Sequence, residues 1–179
     1  MNKRKVVALV GASSTGKTTV FDLLKQYDSF KNWEFKNEST RVVNSYGFPI
    51  NEQGVDATQL AISSYHLKAL LSSRDLILDR SFLDLIVYTE NLEQVSKNVK
   101  DYIRYIWEEV REYYTHFIYF PIEFYTVDDG VRSTNEEWRR TIDKMFLTEL
   151  TKLNIPYLTV SGSPKQRINQ INNFIFNNT

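Results

Sequence analysis

A glycine-rich segment close to the N-terminus constrains the fold more than any other feature of the chain. Residues 11–18, Gly-Ala-Ser-Ser-Thr-Gly-Lys-Thr, satisfy the pattern G-x-x-x-x-G-K-[ST]. The apolar run 6–10 predicts a strand before this segment, and apolar spacing predicts a helix from about 17 to 27. A strand, a glycine-rich loop and a helix in this order predict a phosphate-binding loop (P-loop), and therefore a nucleotide site.

The chemistry of such a loop gives its positions distinct roles. Backbone N–H groups converge on phosphate oxygens, and the helix N-terminus adds its partial positive charge. Lys17 is expected to reach the β- and γ-phosphates, while the Thr18 hydroxyl ligates Mg²⁺. The expected ligands are ATP and Mg²⁺, and the predicted nucleotide-binding residues are Gly11, Ser13, Ser14, Thr15, Gly16, Lys17, Thr18 and Thr19.

The rest of the chain alternates short apolar runs with helical periods. This alternation predicts an α/β fold, in which a five-stranded, mainly parallel sheet has helices on both faces. The 179 residues fit a single domain, 1–179. We predict strands over 6–10, 33–36, 76–78, 117–120 and 157–160, helices over about 17–27, 82–95 and 99–114, and further helices that begin near residues 56, 134 and 164.

Helix boundaries and buried faces follow from local patterns. Asp56 and Gln59 have the spacing of a capping box, as do Thr134 and Glu137, and Ser163 followed by Pro164 predicts the start of the last helix. The predicted buried stripes are Leu60, Ser64, Leu67 and Leu71 in one helix, and Trp138, Ile142, Met145 and Phe146 in another.

Composition excludes several classes of protein. Twenty-two basic residues balance twenty-two acidic ones, which argues against a broad nonspecific nucleic-acid surface. The absence of cysteine excludes disulfides, and with two histidines a Cys/His zinc site has almost no ligands. No apolar stretch has the length of a transmembrane helix, and the run 6–10 is too short for a signal peptide. We therefore expect a soluble cytoplasmic protein.

Asp79 and Arg80 favour phosphoryl transfer over nucleotide hydrolysis. Asp79 ends a fully apolar strand, where a carboxylate supports the metal ion of a P-loop protein. Hydrolysing ATPases of the AAA+ type commonly place a glutamate next, but this chain has Arg80. The GTPase motifs D-x-x-G after a strand and N-K-x-D are absent as well. A kinase fits these residues better.

Four elements in order carry a family resemblance: residues 11–18, Glu38-x-x-Arg41, Asp79-Arg80-x-x-x-Asp84 with Tyr88, and Asp129-Gly130-x-Arg132. Together they resemble small P-loop kinase-like proteins of the AAA-domain and ribosylnicotinamide kinase-like group, over almost the whole chain. Asp79-Arg80-Ser81 also resembles an element of deoxynucleoside kinases and, more loosely, of thymidylate kinases. The resemblance implies a reaction class more than it implies a substrate.

The resemblance implies roles for charged residues outside the P-loop. Glu38 would take the proton from an acceptor hydroxyl, and Arg80 would bind substrate phosphate or neutralise charge near the transferred group. The alternatives are structural ion pairs, Glu38 with Arg41 and Arg80 with Asp84. Asp84 is either a substrate contact or a structural partner.

Residues of the C-terminal part would complete the site. The resemblance implies a lid at about 126–140 that carries Arg132, Arg139 and Arg140, whereas helical pairing of Glu136 with Arg140 and of Arg139 with Asp143 is the alternative. Asp129 is either a substrate contact or a turn residue. Gly162 would line the adenine and Arg167 would stack on it, whereas a plain strand–helix connection is the alternative.

The function expected from these residues is transfer of the ATP γ-phosphate to a hydroxyl of a nucleoside-like small molecule. Three alternatives stay open. They are a nucleoside-monophosphate kinase with Arg41 and Arg80 as its second phosphate site, a kinase for a hydroxymethylated base in DNA, and a noncatalytic nucleotide-binding switch. The expected partner is the nucleoside-like or nucleotide acceptor. DNA is less favoured, and a homodimer is left open.

Overall fold

Five parallel strands form the centre of the computed structural model, which describes residues 4–123 and 135–177. The strands are β1 Val6–Val10, β2 Glu34–Lys36, β3 Leu76–Asp79, β4 His116–Tyr119 and β5 Tyr157–Thr159. Their order in the sheet is β2-β3-β1-β4-β5, and every neighbouring pair is parallel. The predicted α/β class and the five-stranded parallel sheet are therefore confirmed.

Seven α-helices flank the sheet in the described part of the chain. They are α1 Lys17–Leu24, α2 Ser39–Ser45, α3 Asp56–Ala69, α4 Phe82–Glu90, α5 Lys97–Val110, α6 Glu136–Lys152 and α7 Pro164–Phe176. Helices α1 and α7 pack on one face of the sheet, and α3 to α6 pack on the other. Among the described residues, none of these helices is both long and apolar enough to cross a bilayer.

Strand β1 lies at the centre of the sheet and contributes to both cores. Val7 and Leu9 pack under α1 and α7, whereas Val6, Ala8 and Val10 pack under the helices of the opposite face. Every residue of the strand is buried, as expected for a parallel strand covered on both faces. Because β1 is fixed on both sides, the loop that follows it starts from a rigid position.

The predicted capping residues and buried face of α3 are wrong, although the helix begins at Asp56. Val55 precedes the helix, and its N–H donates to the Thr58 hydroxyl, while the Asp56 carboxylate accepts from the N–H of Ser96. Of the predicted stripe, Leu60 is 40% exposed and Leu71, past the end of the helix, is 82% exposed, whereas Leu67 packs against the core. The buried residues of α3 are Thr58, Gln59, Ile62, Ser63 and His66. This helix buries several polar side chains, so apolar spacing did not mark its inner face.

The start of α6 also differs in detail, while that of α7 is confirmed. Asn135 caps α6 by accepting from the N–H of Trp138, and Thr134 lies outside the described residues. Ile142 and Phe146 are buried as predicted, whereas Trp138 is only half-buried. In α7, Ser163 is the N-cap and Pro164 the first helical residue.

Candidate active site

The P-loop joins the carboxyl end of β1 to α1 through a strained backbone. Gly11, Ser14 and Gly16 all have positive φ, at 136°, 56° and 86°. A Cβ on Gly11 would clash with the carbonyl oxygen of Phe120, so a side chain at this position is excluded by space as well as by φ. The loop is therefore held against the end of β4.

Lys17 lies inside the loop, with its ammonium group bound by loop oxygens. Its Nζ donates to the carbonyls of Gly11 at 2.8 Å and Ala12 at 2.6 Å, and to the Thr15 hydroxyl at 3.1 Å. Burial, reinforced by the charge of Arg80, lowers the pKa of Lys17 to about 7. A phosphate group near this amine would favour its charged form.

Thr18 and Asp79 form the pair expected to hold a metal ion. The Thr18 hydroxyl donates to Oδ2 of Asp79 at 2.8 Å, so the first turn of α1 meets the end of β3. Among the described residues, Oδ1 of Asp79 is buried without a hydrogen-bond partner. Burial first, and then the charge of Glu38, raises the pKa of the Asp79 carboxyl.

These two oxygen ligands fit Mg²⁺. Magnesium in nucleotide sites is bound through one or two protein oxygens and completes its octahedron with water and phosphate. Within residues 4–123 and 135–177, no three Asp, Glu, His or Cys side chains form a metal-binding cluster, so an all-protein cage has no ligands there. Thr18 and Asp79 are the residues that would hold the ion beside a bound phosphate chain.

Glu38, Arg80 and Asp84 form a buried charge cluster beside the P-loop. Arg80 Nε lies 2.6 Å from Oε1 of Glu38, and its Nη1 lies 3.5 Å from Oδ1 of Asp84. Arg41 is farther from Glu38, at 3.6 Å. Both ion pairs that the sequence offered as alternatives are present, yet the shortest contact joins Glu38 to Arg80, which the sequence did not predict.

Arg80 occupies its position through an unusual backbone conformation. Its φ is +74°, in the left-handed region that residues with a side chain rarely adopt, and its N–H donates to the carbonyl of Leu9. Tyr88 lies under the guanidinium, with the ring centre 5.2 Å away. Strain of this kind is frequent where a protein must direct a side chain into a site.

The pKa values of the two carboxylates of the cluster are shifted in opposite directions. Burial would raise the pKa of Glu38, but the charges of Arg80 and Lys17 outweigh it and hold the pKa below its ordinary value. Burial raises the pKa of Asp84 to about 6, despite Arg80 and Lys17. Asp84 also accepts from the N–H and hydroxyl of Ser81, so it caps α4 as well as contacting Arg80.

A cavity opens next to this cluster. Residues of α2, α3 and α4 form most of its wall. It is lined by Ser13, Glu38, Thr40, Arg41, Ile50, Asn51, Thr58, Gln59, Ile62, His66, Arg80, Asp84, Leu85, Tyr88 and Leu92. A residue of the P-loop and the charge cluster therefore share one cavity.

Two polar residues of the cavity wall were missed by the sequence analysis. Gln59 accepts from the Thr89 hydroxyl through Oε1, at 3.0 Å. His66 is buried, its Nε2 lies 3.4 Å from the Ser39 hydroxyl, and burial lowers its pKa to about 3. The sequence signal that could have indicated them is the helical spacing of polar residues along α3, since their burial is visible only in the structure.

Arg139 and Arg167 are not at an open surface over the phosphates. Both are almost fully buried, and their guanidinium groups contact carbonyls of the P-loop. Arg139 pairs with Glu136 instead of the predicted Asp143, which accepts from Tyr119, and Arg140 is exposed. These placements differ from the predicted lid arginine and the predicted base-stacking arginine.

The remaining predicted residues lie at the edges of the site or beyond the described part. Gly162 has φ +88°, and its N–H donates to Glu123. Thr19 is exposed on α1. Asp129 and Arg132 lie outside the described residues.

The chain matches the AAA_28 family, described as an AAA domain, over residues 6–167. No curated protein matches it in a sequence search.

Solved structures share its fold over almost its full length. Deoxyadenosine kinase from M. mycoides, solved with the products dCMP and dCDP, has a TM-score of 0.73 and 17% identity and covers 97% of this chain and 100% of its own. A NadR protein in complex with NR has a TM-score of 0.76 and 16% identity, covering 96% of this chain and 52% of its own. Thymidylate kinase from Candida albicans has a TM-score of 0.63 and 15% identity, covering 98% and 92%. The chain has the P-loop fold of nucleoside and nucleotide kinases.

Proposed function

Since the chain belongs to the AAA_28 family of AAA domains and has the fold of P-loop nucleoside and nucleotide kinases, we propose that it transfers the γ-phosphate of ATP to a hydroxyl of a nucleoside-like molecule. One observation carries the proposal. Ser13 of the P-loop lines the same cavity as Glu38, Arg80 and Asp84, so a donor bound to the loop and an acceptor in the cavity would meet. A kinase needs this proximity of two substrates, whereas a hydrolase needs room for one water molecule.

The donor side of the reaction is assigned to the loop and its neighbours. Lys17 and the loop N–H groups bind the phosphates, and Thr18 and Asp79 hold Mg²⁺, which neutralises phosphate charge when bound. ATP and Mg²⁺ are the proposed donor and ion. Gly162, Asp129 and Arg132 stay predictions for the base and lid contacts.

The acceptor side is assigned to the charge cluster. Glu38 is ionised at neutral pH and lies beside Arg80, so it can accept a hydrogen bond from a hydroxyl and take its proton as the O–P bond forms. The guanidinium of Arg80 is next to the place where negative charge increases on the transferred group. Asp84 limits how far Arg80 can turn and lines the same wall.

The charges of the cavity favour an uncharged acceptor over a nucleoside monophosphate. Its charged lining residues are Glu38 and Asp84, which are acidic, and Arg41 and Arg80, which are basic. Arg80 is already paired with both acids, and Arg41 lies 3.6 Å from Glu38. A phosphate on the acceptor would therefore bring negative charge that the cavity does not balance.

A transfer assay with γ-labelled ATP and Mg²⁺ tests the proposal. Acceptors would include deoxyadenosine, deoxycytidine, nicotinamide riboside, the corresponding monophosphates and oligonucleotides, and Lys17→Ala would control for contaminating kinases. We expect label on one or more nucleosides with the wild-type protein and none with the variant. Label on monophosphates alone would establish the nucleotide-kinase alternative. ATP binding without label on any acceptor would contradict a kinase.

A further inference from the structure

Two arginines from distant helices meet the P-loop on its carbonyl side. Nε of Arg139, in α6, donates to the Ser13 carbonyl at 2.8 Å, and its Nη2 donates to the Ser14 carbonyl at 3.3 Å. Nη1 of Arg167, in α7, donates to the Thr15 carbonyl at 2.6 Å. Three consecutive peptide groups of the loop are therefore bound by guanidinium groups.

Both arginines are buried to a degree that is unusual for a charged side chain. Arg139 is 1% and Arg167 is 2% exposed. Arg139 pairs with Glu136 at 3.0 Å, and Arg167 pairs with Glu123 at 2.9 Å. Nε of Arg167 also donates to the carbonyl of Gly162.

Burial of two ion pairs is a weak source of stability. Desolvation of the charges offsets much of their attraction, and apolar side chains of similar volume commonly stabilise a fold as well. What apolar side chains could not do is hold a carbonyl oxygen in one direction. Because of the geometry of the peptide group, the direction of each carbonyl also sets the direction of the following N–H at the phosphate site.

In a trans peptide, the carbonyl and the following N–H lie in one plane and point in opposite directions. No peptide bond among the described residues is cis. Binding of the three carbonyls therefore turns the N–H groups of Ser14, Thr15 and Gly16 away from the arginines. These are groups of the P-loop that bind phosphate oxygens.

We propose that Arg139 and Arg167 are positioning residues for the donor phosphates. They fix the peptide planes of the loop so that its N–H groups point into the phosphate site before the nucleotide binds, although they do not contact the nucleotide themselves. Loop N–H groups that are already oriented need not reorient when phosphate binds. Losing this preorganisation should therefore weaken phosphate affinity directly. The inference rests on the nucleotide binding of the proposed function and not on the identity of the acceptor.

The missing side chain at Gly16 leaves room for the Arg167 guanidinium beside the loop. A Cβ at Gly16 would lie 3.1 Å from Nη1 of Arg167, so a side chain at this position would press on the guanidinium. The ring of Phe120 lies 5.4 Å from the same guanidinium and limits its movement on another side. The position of Arg167 is therefore set by packing before any phosphate is bound.

The test measures binding of inorganic tripolyphosphate with Mg²⁺, which has no base and no acceptor. Calorimetry would compare wild type with Arg139→Ala, Arg167→Ala and Arg167→Lys, and thermal melting would establish that each is folded. Arg104→Ala is the matched control, because Arg104 forms ion pairs with Glu90 and Glu149 and does not contact the loop. Guanidinium chloride at millimolar concentration would be added to the alanine variants.

We expect each alanine variant to bind tripolyphosphate about tenfold more weakly or worse, since charged hydrogen bonds to the loop are lost. Guanidinium should restore part of the affinity of Arg167→Ala. Arg167→Lys keeps the positive charge but lacks the planar guanidinium fork, so this variant should bind tripolyphosphate more weakly than wild type. Arg104→Ala should bind like wild type.

Affinities of Arg139→Ala and Arg167→Ala within twofold of wild type, or a loss no larger than that of Arg104→Ala, would overturn the inference. If an alanine variant does not fold, Arg167→Lys decides: wild-type affinity in that variant would overturn positioning by the guanidinium fork. A wild-type protein that binds neither tripolyphosphate nor ATP would contradict the proposed function instead. Binding without transfer to an acceptor would leave the positioning role standing and contradict only the kinase.

Discussion

Nε of Arg80 donates to Oε1 of Glu38 at 2.6 Å, across 42 residues of sequence. This contact joins the end of β3 to the start of α2 and turns both side chains to the cavity beside the P-loop. It also helps to keep Glu38 ionised, because the charges of Arg80 and Lys17 and the hydrogen bond from Arg80 together outweigh the effect of burial and lower the pKa of Glu38. A carboxylate held in this way is suited to orient a hydroxyl and to receive its proton when phosphoryl transfer is well advanced.

We therefore expect Glu38→Gln to lower turnover about 10²- to 10⁴-fold, the usual contribution of a positioned acid–base group. ATP affinity should change little, because Glu38 lies on the acceptor side. Steady-state kinetics and ATP titration would check both. Glu108→Gln, which alters an exposed ion pair with Arg111, is the control. Near-normal phosphorylation of a hydroxyl acceptor by Glu38→Gln would contradict the assignment of the base.

Lys17→Ala should lower turnover by at least about 10²-fold, because preorganised charge at the phosphates contributes more than any packing of this side chain. The protein should stay folded, since replacing Lys17 removes a buried amine whose charged form is disfavoured by its surroundings. Turnover and melting temperature would be compared with those of Lys97→Ala, a surface lysine that is 84% exposed. Unchanged turnover would remove the P-loop from the mechanism.

Thr18→Ala should raise the Mg²⁺ concentration needed for half-maximal activity. The substitution removes one of the two proposed oxygen ligands and the hydrogen bond from Thr18 to Asp79. We expect an increase of about 10- to 100-fold, the usual effect of losing an orienting partner of a metal ligand. Thr148→Ala, on the exposed face of α6, is the control. An unchanged Mg²⁺ requirement would show that Thr18 does not hold the ion.

Gly11→Ala should destabilise the fold much more than Gly47→Ala. Both glycines have positive φ, so each substitution carries a backbone cost of about 1–2 kcal/mol. Only at Gly11 would the new Cβ meet a backbone oxygen, whereas at Gly47 it would meet no atom within 4 Å. Denaturant unfolding would measure both, and equal losses of stability would contradict close packing of the loop against β4.

His66 predicts a pH dependence of stability. Its pKa is lowered from 6.5 to about 3 by burial, so the unfolded chain binds more protons between these two values. The contribution of the neutral His66 to the free energy of unfolding is complete above pH 6.5 and decreases as the pH falls towards 3. From pH 7 to pH 5 the wild type should lose about 2 kcal/mol more than His66→Gln. Urea unfolding at both pH values would test this, and parallel losses would contradict a buried neutral histidine.

Much of the fold and the placement of the candidate donor-site residues could be predicted because their determinants are local. Strand β1, the P-loop and the start of α1 follow one another without interruption, and the loop pattern itself states which residues face phosphate. Asp79 was found by the same logic, since it ends a short apolar strand. The prediction of the inner face of α3 failed because this helix buries polar residues, and apolar periodicity does not mark them.

The sequence alone determined the α/β class, the P-loop with Lys17 and Thr18, and the position of Asp79. Each depends on residues that are close in the chain, where the sequence spacing itself fixes the relative positions of the residues. Only the tertiary structure decided that Arg80 pairs first with Glu38, and that Arg139 and Arg167 contact the loop from its carbonyl side. These contacts join residues tens to more than a hundred positions apart, and they form only because packing on the sheet brings separate helices to one loop.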